Sequence, residues 1–338
     1  MSVRRYAAVT TLFIVPAVVV EFLTGNTIFA ADPGAVLNIL HYGSGAVLAR
    51  ELARSWRKGF APILILGAVY GMCNEGLATG GFFDPHFYAV VGWGLENYGR
   101  WGEINVIWAL NITVFHAVFS IAVPIIIVDA LFPDLTPRRL LRNTSLVVFF
   151  VLLAAVTALA RLIFSHTQAP INPYALALVI VVMLLLMLLA RVFPSFAGIA
   201  THRTPSDITL IISAFVGSFA WILVIPTVLS YIHTPVLNLL TIFCVLFLIC
   251  RVLLSFAQVS NRQRLALAVG AEGPLLAHAV TSANFVPLAI TLALLILAWR
   301  CSGSETGRNA PVLHIVFFAC AVVVVAVLTA VLRQRLLA

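Results

Sequence analysis

The chain of 338 residues is 62% hydrophobic and only 9% charged, and its mean hydropathy is +1.09. Soluble domains carry about 25% charged residues, so this composition excludes a soluble globular protein and indicates a membrane protein with several transmembrane helices. The net charge of +8 does not indicate nucleic-acid binding, because nearly all the arginines lie in short segments between apolar runs and no basic face with interleaved aromatic residues is present.

Hydropathy predicts ten transmembrane helices, since a helix needs about 20 mostly apolar residues to cross a bilayer. The basic N-terminus resembles a secretory signal, but Phe29 stands where the cleavage site requires a small residue, so we expect this segment to remain as the first span. Residues 1–338 are expected to form a single integral membrane domain, with polar-site helices in 1–131 and mostly apolar scaffold helices in 132–338. The predicted spans are 7–25, 34–56, 60–79, 104–131, 144–164, 173–193, 207–231, 235–258, about 275–299 and 311–332.

The predicted fold class is all-α: a polytopic transmembrane helix bundle of about ten spans, with the N-terminus and the C-terminus both cytoplasmic. Arginine-rich short loops are typical of the cytoplasmic side, and the expected location is the plasma membrane of a prokaryote. At the cytoplasmic end of the second span, Glu51 is predicted to form interfacial ion pairs with the neighbouring Arg50, Arg54 and Lys58. The basic residues left on the outer side are Arg100, Arg161, Arg300 and Arg308.

Two segments depart from the regular pattern of spans. Residues 265–299 are too long for one straight crossing and too short for two, and Gly270, Gly273 and Pro274 predict a helix break, so we expect a re-entrant or interfacial entry followed by one span. The outer connection 82–103 is dense in Phe, Tyr and Trp. Two interpretations of it stay open: an aromatic belt at the membrane surface, or a loop that covers a site.

Ionisable side chains inside a bilayer are costly, so each of them is a candidate functional residue. Counting about 1.5 Å per residue from the predicted span ends places the polar residues of the first four spans in the outer half of the membrane. These candidates are Glu21, His41, Asn74, Glu75, Asn111 and His116. The alternative for each of them is structural: a hydrogen-bonded carboxylate, a packing histidine, or a glutamate that reaches to the interface.

Helical periodicity favours one inward-facing polar cluster. In the third span, Gly67 and Gly71 form a G-x-x-x-G pair that permits close helix packing, and the same face continues to Glu75. Asn111 points away from His116 on the fourth span. The polar stripes are Asn38, His41, Ser44 and Gly45 in the second span, and Thr113, His116 and Ser120 in the fourth.

The order of Asn74-Glu75, His116 and His278 resembles the CAAX-protease and bacteriocin-processing family of intramembrane proteases. That family's pattern is a Glu-Glu pair with a following Arg, then Phe-x-x-x-His, then His-x-x-x-Asn. The resemblance implies that Glu75 activates a water, while His116 and His278 orient it or stabilise the developing oxyanion. The positions that depart from the family's pattern are Asn74, Thr79, Ile112 and Ser282.

Three functional hypotheses follow from these residues. A buried carboxylate beside histidines can exchange protons, which predicts a small-solute or proton-coupled transporter-like protein with Glu21, His41, Asn74 and Asn111 as substrate-binding residues. The alternatives are an intramembrane protease-like hydrolase with Glu75, His116 and His278 as catalytic residues, and a membrane scaffold without chemistry.

Composition and motifs limit which partners and cofactors are expected. The expected partners are the lipid bilayer and either a small polar solute or a membrane peptide. A metal site built from His41, Glu75 and His116 is an open alternative, because two histidines and a carboxylate are a common set of ligands. These three residues come from three helices and show no H-E-x-x-H spacing, and the five scattered cysteines predict neither a zinc site nor a disulfide framework.

Overall fold

The computed structural model is helical in nearly all of the chain that it describes, which confirms the all-α class. The described residues are 2–26, 34–92, 94–96, 99–166, 168, 170–193, 205–224, 234, 236–244, 247 and 260–302. The labelled helices are α1 (Val3–Ala17), α2 (Gly34–Ser55), α3 (Ala61–Met72), α4 (Tyr88–Gly92), α5 (Val106–Phe115), α6 (Val123–Leu131), α7 (Asn143–Ser165), α8 (Pro173–Val192), α9 (Asp207–Phe219), α10 (Asn261–Thr281) and α11 (Phe285–Ser302).

Short π-helical segments continue several of these helices, and a small hairpin interrupts the outer connection. In the described residues the π-helical segments are π1 (Val18–Phe22), π2 (Cys73–Ala78), π3 (His116–Ala122) and π4 (Ala220–Val224). They follow α1, α3, α5 and α9, and π3 leads directly into α6. Strands β1 (Arg100–Trp101) and β2 (Ile104–Asn105) pair antiparallel just before α5.

Six helices in the described part of the chain are long and apolar enough to cross a membrane. They run Val3–Phe22, Ala61–Ala78, Val106–Leu131, Asn143–Ser165, Pro173–Val192 and Phe285–Ser302. Five of them match the predicted first, third, fourth, fifth and sixth spans within a few residues, because long apolar runs fix helix bounds well. The total of ten crossings stays a prediction, since the span predicted at 311–332 lies outside the described residues.

The segment 265–299 forms parts of two helices, so the predicted re-entrant entry followed by one span was wrong. Helix α10 continues through both glycines and Pro274. A proline inside a membrane helix is tolerated where neighbouring groups satisfy the freed carbonyl. The chain reverses at Ala283 instead, whose φ of 58° is the left-handed conformation that ends helices.

The hairpin of α10 and α11 also corrects the predicted position of Arg300. Helix α10 runs between the two ends of the bundle: at its far end His278 contacts the carbonyl of Thr24 (3.1 Å). At its near end, the guanidinium of Arg262 lies 5.1 Å from the ring centre of Trp299. Arg300 therefore lies at the same end of the bundle as Arg262, and the predicted placement of these two residues on opposite sides was wrong because α10 and α11 run in opposite directions between them.

A buried charge network closes this basic end of the bundle. Arg50 and Glu51 are each 1% exposed. Arg50 donates to Asp129 (2.9 Å) and to Glu51 (2.8 Å), and the second oxygen of Glu51 accepts two backbone N–H groups of the α6–α7 connection at 2.9 Å. The predicted pairing of Glu51 with Arg50 is confirmed and the pair is buried in the bundle, whereas Arg54 donates to Asp129 (2.7 Å). Lys58 lies apart from it and donates to the carbonyl of Phe193 (2.8 Å).

Two glycines allow α3 to pack closely against α5 and π3. A Cβ atom at Gly67 would lie 2.8 Å from the Cα of Ala117, and one at Gly71 would lie 2.9 Å from the Cβ of His116. Atoms in proteins do not approach so closely, so any side chain at these positions forces the helices apart. The predicted G-x-x-x-G contact is confirmed, and it holds α3 against π3.

Replacing Gly71 by alanine is expected to lower the free energy of unfolding by about 1–3 kcal/mol, the usual cost of overpacking. The matched control is Gly217→Ala in α9, where no atom of the described residues lies within 4 Å of the added Cβ. This control is expected to be neutral or to stabilise the helix by up to about 1 kcal/mol, because alanine is the better helix former. Unfolding of both variants in mixed detergent micelles measures the difference, and equal effects would contradict the close packing at Gly71.

Candidate functional site

Four of the polar residues predicted for the site lie on three π-helical segments. Glu21 belongs to π1, Asn74 and Glu75 belong to π2, and His116 begins π3. Fewer than about 1% of residues in proteins are π-helical, and such segments occur frequently at functional sites. Their coincidence with the ionisable residues of three helices identifies this region as the candidate site.

Hydrogen bonds link these residues into a continuous chain. The hydroxyl of Tyr42 donates to Glu21 and accepts from the Nδ2 of Asn74 (3.3 Å). The same Nδ2 lies 3.3 Å from the Nε2 of His116, and this Nε2 lies 3.4 Å from the Oε1 of Glu75. Two carboxylates on different helices are thus connected through a phenol, an amide and an imidazole.

The Glu75–His116 pair is buried and held from both sides. Glu75 is 8% exposed and His116 is 2% exposed. The hydroxyl of Thr79 donates to the Oε2 of Glu75 (3.4 Å), and the Nδ1 of His116 lies 2.8 Å from the hydroxyl oxygen of Ser120. The polar stripe predicted to include His116 and Ser120 is confirmed by this bond.

The arrangement has two natural positions for one proton. A protonated Nε2 of His116 can donate to the carboxylate of Glu75, whereas a neutral carboxyl of Glu75 can donate to a deprotonated Nε2. In the second state Nε2 is a hydrogen-bond acceptor. The amide N–H of Asn74 is a donor and also needs an acceptor at this position. The contact therefore offers two positions for one proton, the Oε1 of Glu75 and the Nε2 of His116.

His41 forms a neighbouring branch of the cluster. Its Nδ1 lies 2.9 Å from the hydroxyl of Tyr70, and its Nε2 lies 3.0 Å from the hydroxyl of Thr157. The Tyr70 ring packs 5.6 Å from the Tyr42 ring and 5.9 Å from the His116 ring, measured between centroids. His41 thus reaches the Glu75–His116 pair through packed aromatic rings.

Two predicted site residues stand apart from the hydrogen-bonded chain. Asn111 is 4% exposed, and its Nδ2 has no hydrogen-bond partner among the described residues. His278 is exposed at the end of α10, where its Nε2 lies 3.1 Å from the carbonyl oxygen of Thr24 and 3.2 Å from the hydroxyl of Ser282. The structure therefore brings Glu75 and His116 together and leaves His278 outside the pair.

The outer connection folds over the site. Phe82 is 1% exposed and Phe87 is 5% exposed. Their rings lie 3.0 Å and 2.9 Å from the positions where Cβ atoms would stand on Gly76 and Gly81. The Cβ position of Gly81 is also 3.1 Å from the Oε2 of Glu75. Buried rings this close to the carboxylate favour the covering loop over the aromatic belt.

Replacing Phe87 by alanine is expected to admit water to the site. The Phe87 ring packs 6.5 Å from the ring of Trp108, which lies one helical turn before Asn111 on α5. In a parent without native cysteines, Asn111→Cys should react several times faster with a polar thiol reagent when Phe87→Ala is added. Trp101→Ala, at an exposed position of the same connection, is the control and should leave the rate unchanged. An unchanged rate in both variants contradicts the covering function of Phe87.

Nearly the whole chain matches a known family: residues 11–338 fit the model of an uncharacterized membrane protein family. The chain belongs to this family. The predicted polytopic membrane class is thereby confirmed. No curated protein and no solved structure matches the chain. The matching family is not the CAAX-protease family, so the protease hypothesis rests on the quoted residues alone.

The geometry of the candidate site does not support the metal site that was hypothesised from His41, Glu75 and His116. Among the residues that the structure describes, no group of three or more His, Cys, Asp and Glu side chains is arranged to hold a metal ion. The two ring nitrogens of His41 contact the hydroxyls of Tyr70 and Thr157 and are not directed at Glu75 or His116. The three residues of the metal hypothesis therefore do not converge on one point.

Sequence analysis missed another buried carboxylate. Glu272 lies within α10 at 0% exposure, and neither of its oxygens has a hydrogen-bond partner in the described part of the chain. The signal that identifies it is a single acidic residue within an apolar run. The adjacent glycines and Pro274 obscured that signal because they predicted a helix break.

Proposed function

We propose that this protein is a transporter-like membrane protein that exchanges a proton at the Glu75–His116 pair and moves a small solute. The observation that carries the proposal is the buried contact between the Oε1 of Glu75 and the Nε2 of His116 at 3.4 Å. A carboxylate and an imidazole in this contact share one proton between two alternative positions. Intramembrane ionisable residues of this kind commonly mark proton relays and substrate pathways.

The surrounding residues support the exchange of protons over a longer path. The chain from Glu21 through Tyr42 and Asn74 to His116 consists of groups that can reorient their hydrogen bonds. We assign Glu21, Asn74, His41 and Asn111 as the polar lining of the solute site. The unpartnered amide of Asn111 is a donor that a bound solute can satisfy.

The orientation of the site is part of the proposal. The Glu75–His116 pair lies toward the end of the bundle opposite to the buried Arg50 network. Arginine-rich ends face the cytoplasm, so the site opens to the outer side beneath the covering loop. We place the protein in the plasma membrane of a prokaryote on the same grounds, with the helices in 132–338 serving mainly as scaffold.

Transport in liposomes tests the proposal. Purified protein is reconstituted with a pH-sensitive dye inside, and carboxylic acids, amino acids, sugars and monovalent cations are added outside in turn. We expect at least one compound to cause a protein-dependent change of internal pH that Glu75→Gln abolishes. Glu103→Gln, at an exposed position of the outer connection, is the matched control and should retain the flux. An identical flux with Glu75→Gln contradicts the proposal.

Hydrolysis is the second candidate function, favoured by the same contact. A carboxylate beside an imidazole can activate water, and Asn74 lies next to both groups. His278, the third residue of the resemblance, lies elsewhere, so an oxyanion would need another donor. Cleavage of membrane peptides that is lost in Glu75→Gln, without solute-dependent proton flux in the parent protein, would favour hydrolysis over transport. Loss of stability alone would favour a scaffold.

A further inference from the structure

We infer that Arg161, held by Gln168 above Gly80, is a binding site for the carboxylate group of an anionic solute. Arg161 is the one charged residue of α7, a helix whose surface is mostly exposed and apolar. A charge in such a helix is costly to maintain in a membrane. The inference rests on the proposed function in one respect only: the bound carboxylate is taken to belong to the transported solute.

The guanidinium is positioned by a short relay to π2. Its Nη1 donates to the Oε1 of Gln168 at 2.6 Å, and the Nε2 of Gln168 donates to the carbonyl of Thr79 at 2.8 Å. Thr79 in turn donates to Glu75. Arg161 is thus fixed relative to the proton-exchanging carboxylate although the two residues lie on different helices.

The charge of Arg161 has no ion-pair partner among the described residues. Asp84 acts on the guanidinium electrostatically without forming an ion pair, and its carboxylate accepts the backbone N–H of His86 at 2.8 Å. One hydrogen bond to Gln168 leaves most of the guanidinium's five N–H donors for another acceptor. Such a fork matches the two oxygens of a carboxylate or phosphate.

Consecutive glycines keep the guanidinium and the carboxylate apart. Gly80 has a φ of 71°, and a Cβ there would collide with the Nη1 of Arg161. The Cβ position of Gly81 lies 3.1 Å from the Oε2 of Glu75. The two charged groups therefore flank the glycine pair without neutralising each other. A carboxylate bound by the remaining N–H donors of Arg161 would be separated from Glu75 by the glycine pair.

The charge balance favours a monoanion. The Nη2 of Arg100, another basic residue of this region, donates to the carbonyls of Phe83 and Glu103, both at 2.8 Å, and its Nη1 is buried without a hydrogen-bond partner among the described residues. Arg161 is the guanidinium that remains accessible, and on its own it neutralises one negative charge, which suits a carboxylate better than a phosphate dianion. Uptake of a carboxylate together with the proton carried by Glu75 would move no net charge.

Protection of Arg161 from chemical modification tests this inference. Wild-type protein in nanodiscs of zwitterionic lipid is treated with phenylglyoxal, and modification of each arginine is followed by peptide mass spectrometry. Propionate or benzoate at ten times its dissociation constant should slow modification of Arg161 about ten-fold, by mass action. Propionamide and benzamide should not protect it, and modification of the exposed Arg57 should not change in any case.

Other outcomes overturn the inference. Equal protection by the amides, or no protection by either carboxylate, excludes a carboxylate site. Stronger protection by inorganic phosphate assigns the site to phosphate, and protection only in nanodiscs with phosphatidylglycerol assigns Arg161 to a lipid headgroup. Glu75→Gln separates this test from the proposed function: carboxylate protection should persist in this variant while the proton flux is lost. Protection without any proton flux in the parent protein would overturn the proposed function alone.

Discussion

Replacing Arg50 by methionine is expected to lower the free energy of unfolding by about 3–5 kcal/mol, the cost of removing one partner from a buried charge network. Arg50 is 1% exposed and donates to Asp129, to Glu51 and to backbone carbonyls of the α6–α7 connection, including that of Leu135 at 2.9 Å. Methionine fills similar volume but removes the side-chain donor of the Oδ1 of Asp129 and of the Oε1 of Glu51. Chemical unfolding in mixed micelles measures the loss.

Arg4→Met is the matched control for this prediction. Arg4 pairs with Asp134 at 2.9 Å, but the two side chains are 60% and 51% exposed. Exposed pairs contribute about 0–1 kcal/mol, so this variant should be close to the parent. If the two variants lose equal stability, the Arg50 network does not hold the basic end of the bundle together.

The second large effect is expected for His116→Leu. The substitution leaves Glu75 and Ser120 without the ring nitrogens that they contact at 3.4 Å and 2.8 Å. A buried polar group without its partner costs about 1–3 kcal/mol, so two such groups give a loss of about 2–6 kcal/mol. Leucine is close to histidine in size, which keeps the contribution of cavity formation small.

His86→Leu provides the control for His116→Leu. His86 is exposed in the outer connection, and the hydrogen bond that involves it uses its backbone N–H. This variant should change stability by less than about 0.5 kcal/mol. A loss for His116→Leu no larger than for His86→Leu would show that the imidazole is not hydrogen-bonded within the cluster.

Much of the fold follows from hydropathy because the relevant signal is local. The helices at 61–78, 106–131, 143–165 and 173–192 end within a few residues of their predicted bounds. The region 265–299 was predicted wrongly because its course depends on long-range packing. Helix α10 is less apolar than a typical span and is stabilised by burial against neighbouring helices, which no window of sequence reveals.

The candidate site was predictable in its ionisable residues but not in their connections. Glu75 and His116 stand out because charges and imidazoles are rare in apolar helices. Tyr42, which joins Glu21 to Asn74, looks like an ordinary packing aromatic in the sequence. The π-helical segments also change the helical phase by the extra residue in each wide turn, so periodicity cannot give the facing of side chains beyond them.

His278 and Arg161 show that the order of residues in the sequence does not reveal which side chains meet in the fold. His278 follows His116 in the order that the protease resemblance requires, yet the α10–α11 hairpin carries it to Thr24. Arg161 looks like an arginine that extends to the outer interface from the end of a span. Its contact with Gln168, and through it with Thr79, becomes visible only when α7 and π2 are packed together.

The most direct test of the proton-exchange site is an infrared titration of the protein in membranes. One component of the C=O stretch of protonated carboxyls should appear as the pH falls, be absent in Glu75→Gln and remain in Glu272→Gln. A titrating band that is unchanged in Glu75→Gln would contradict the assignment of Glu75 as the proton-exchanging group.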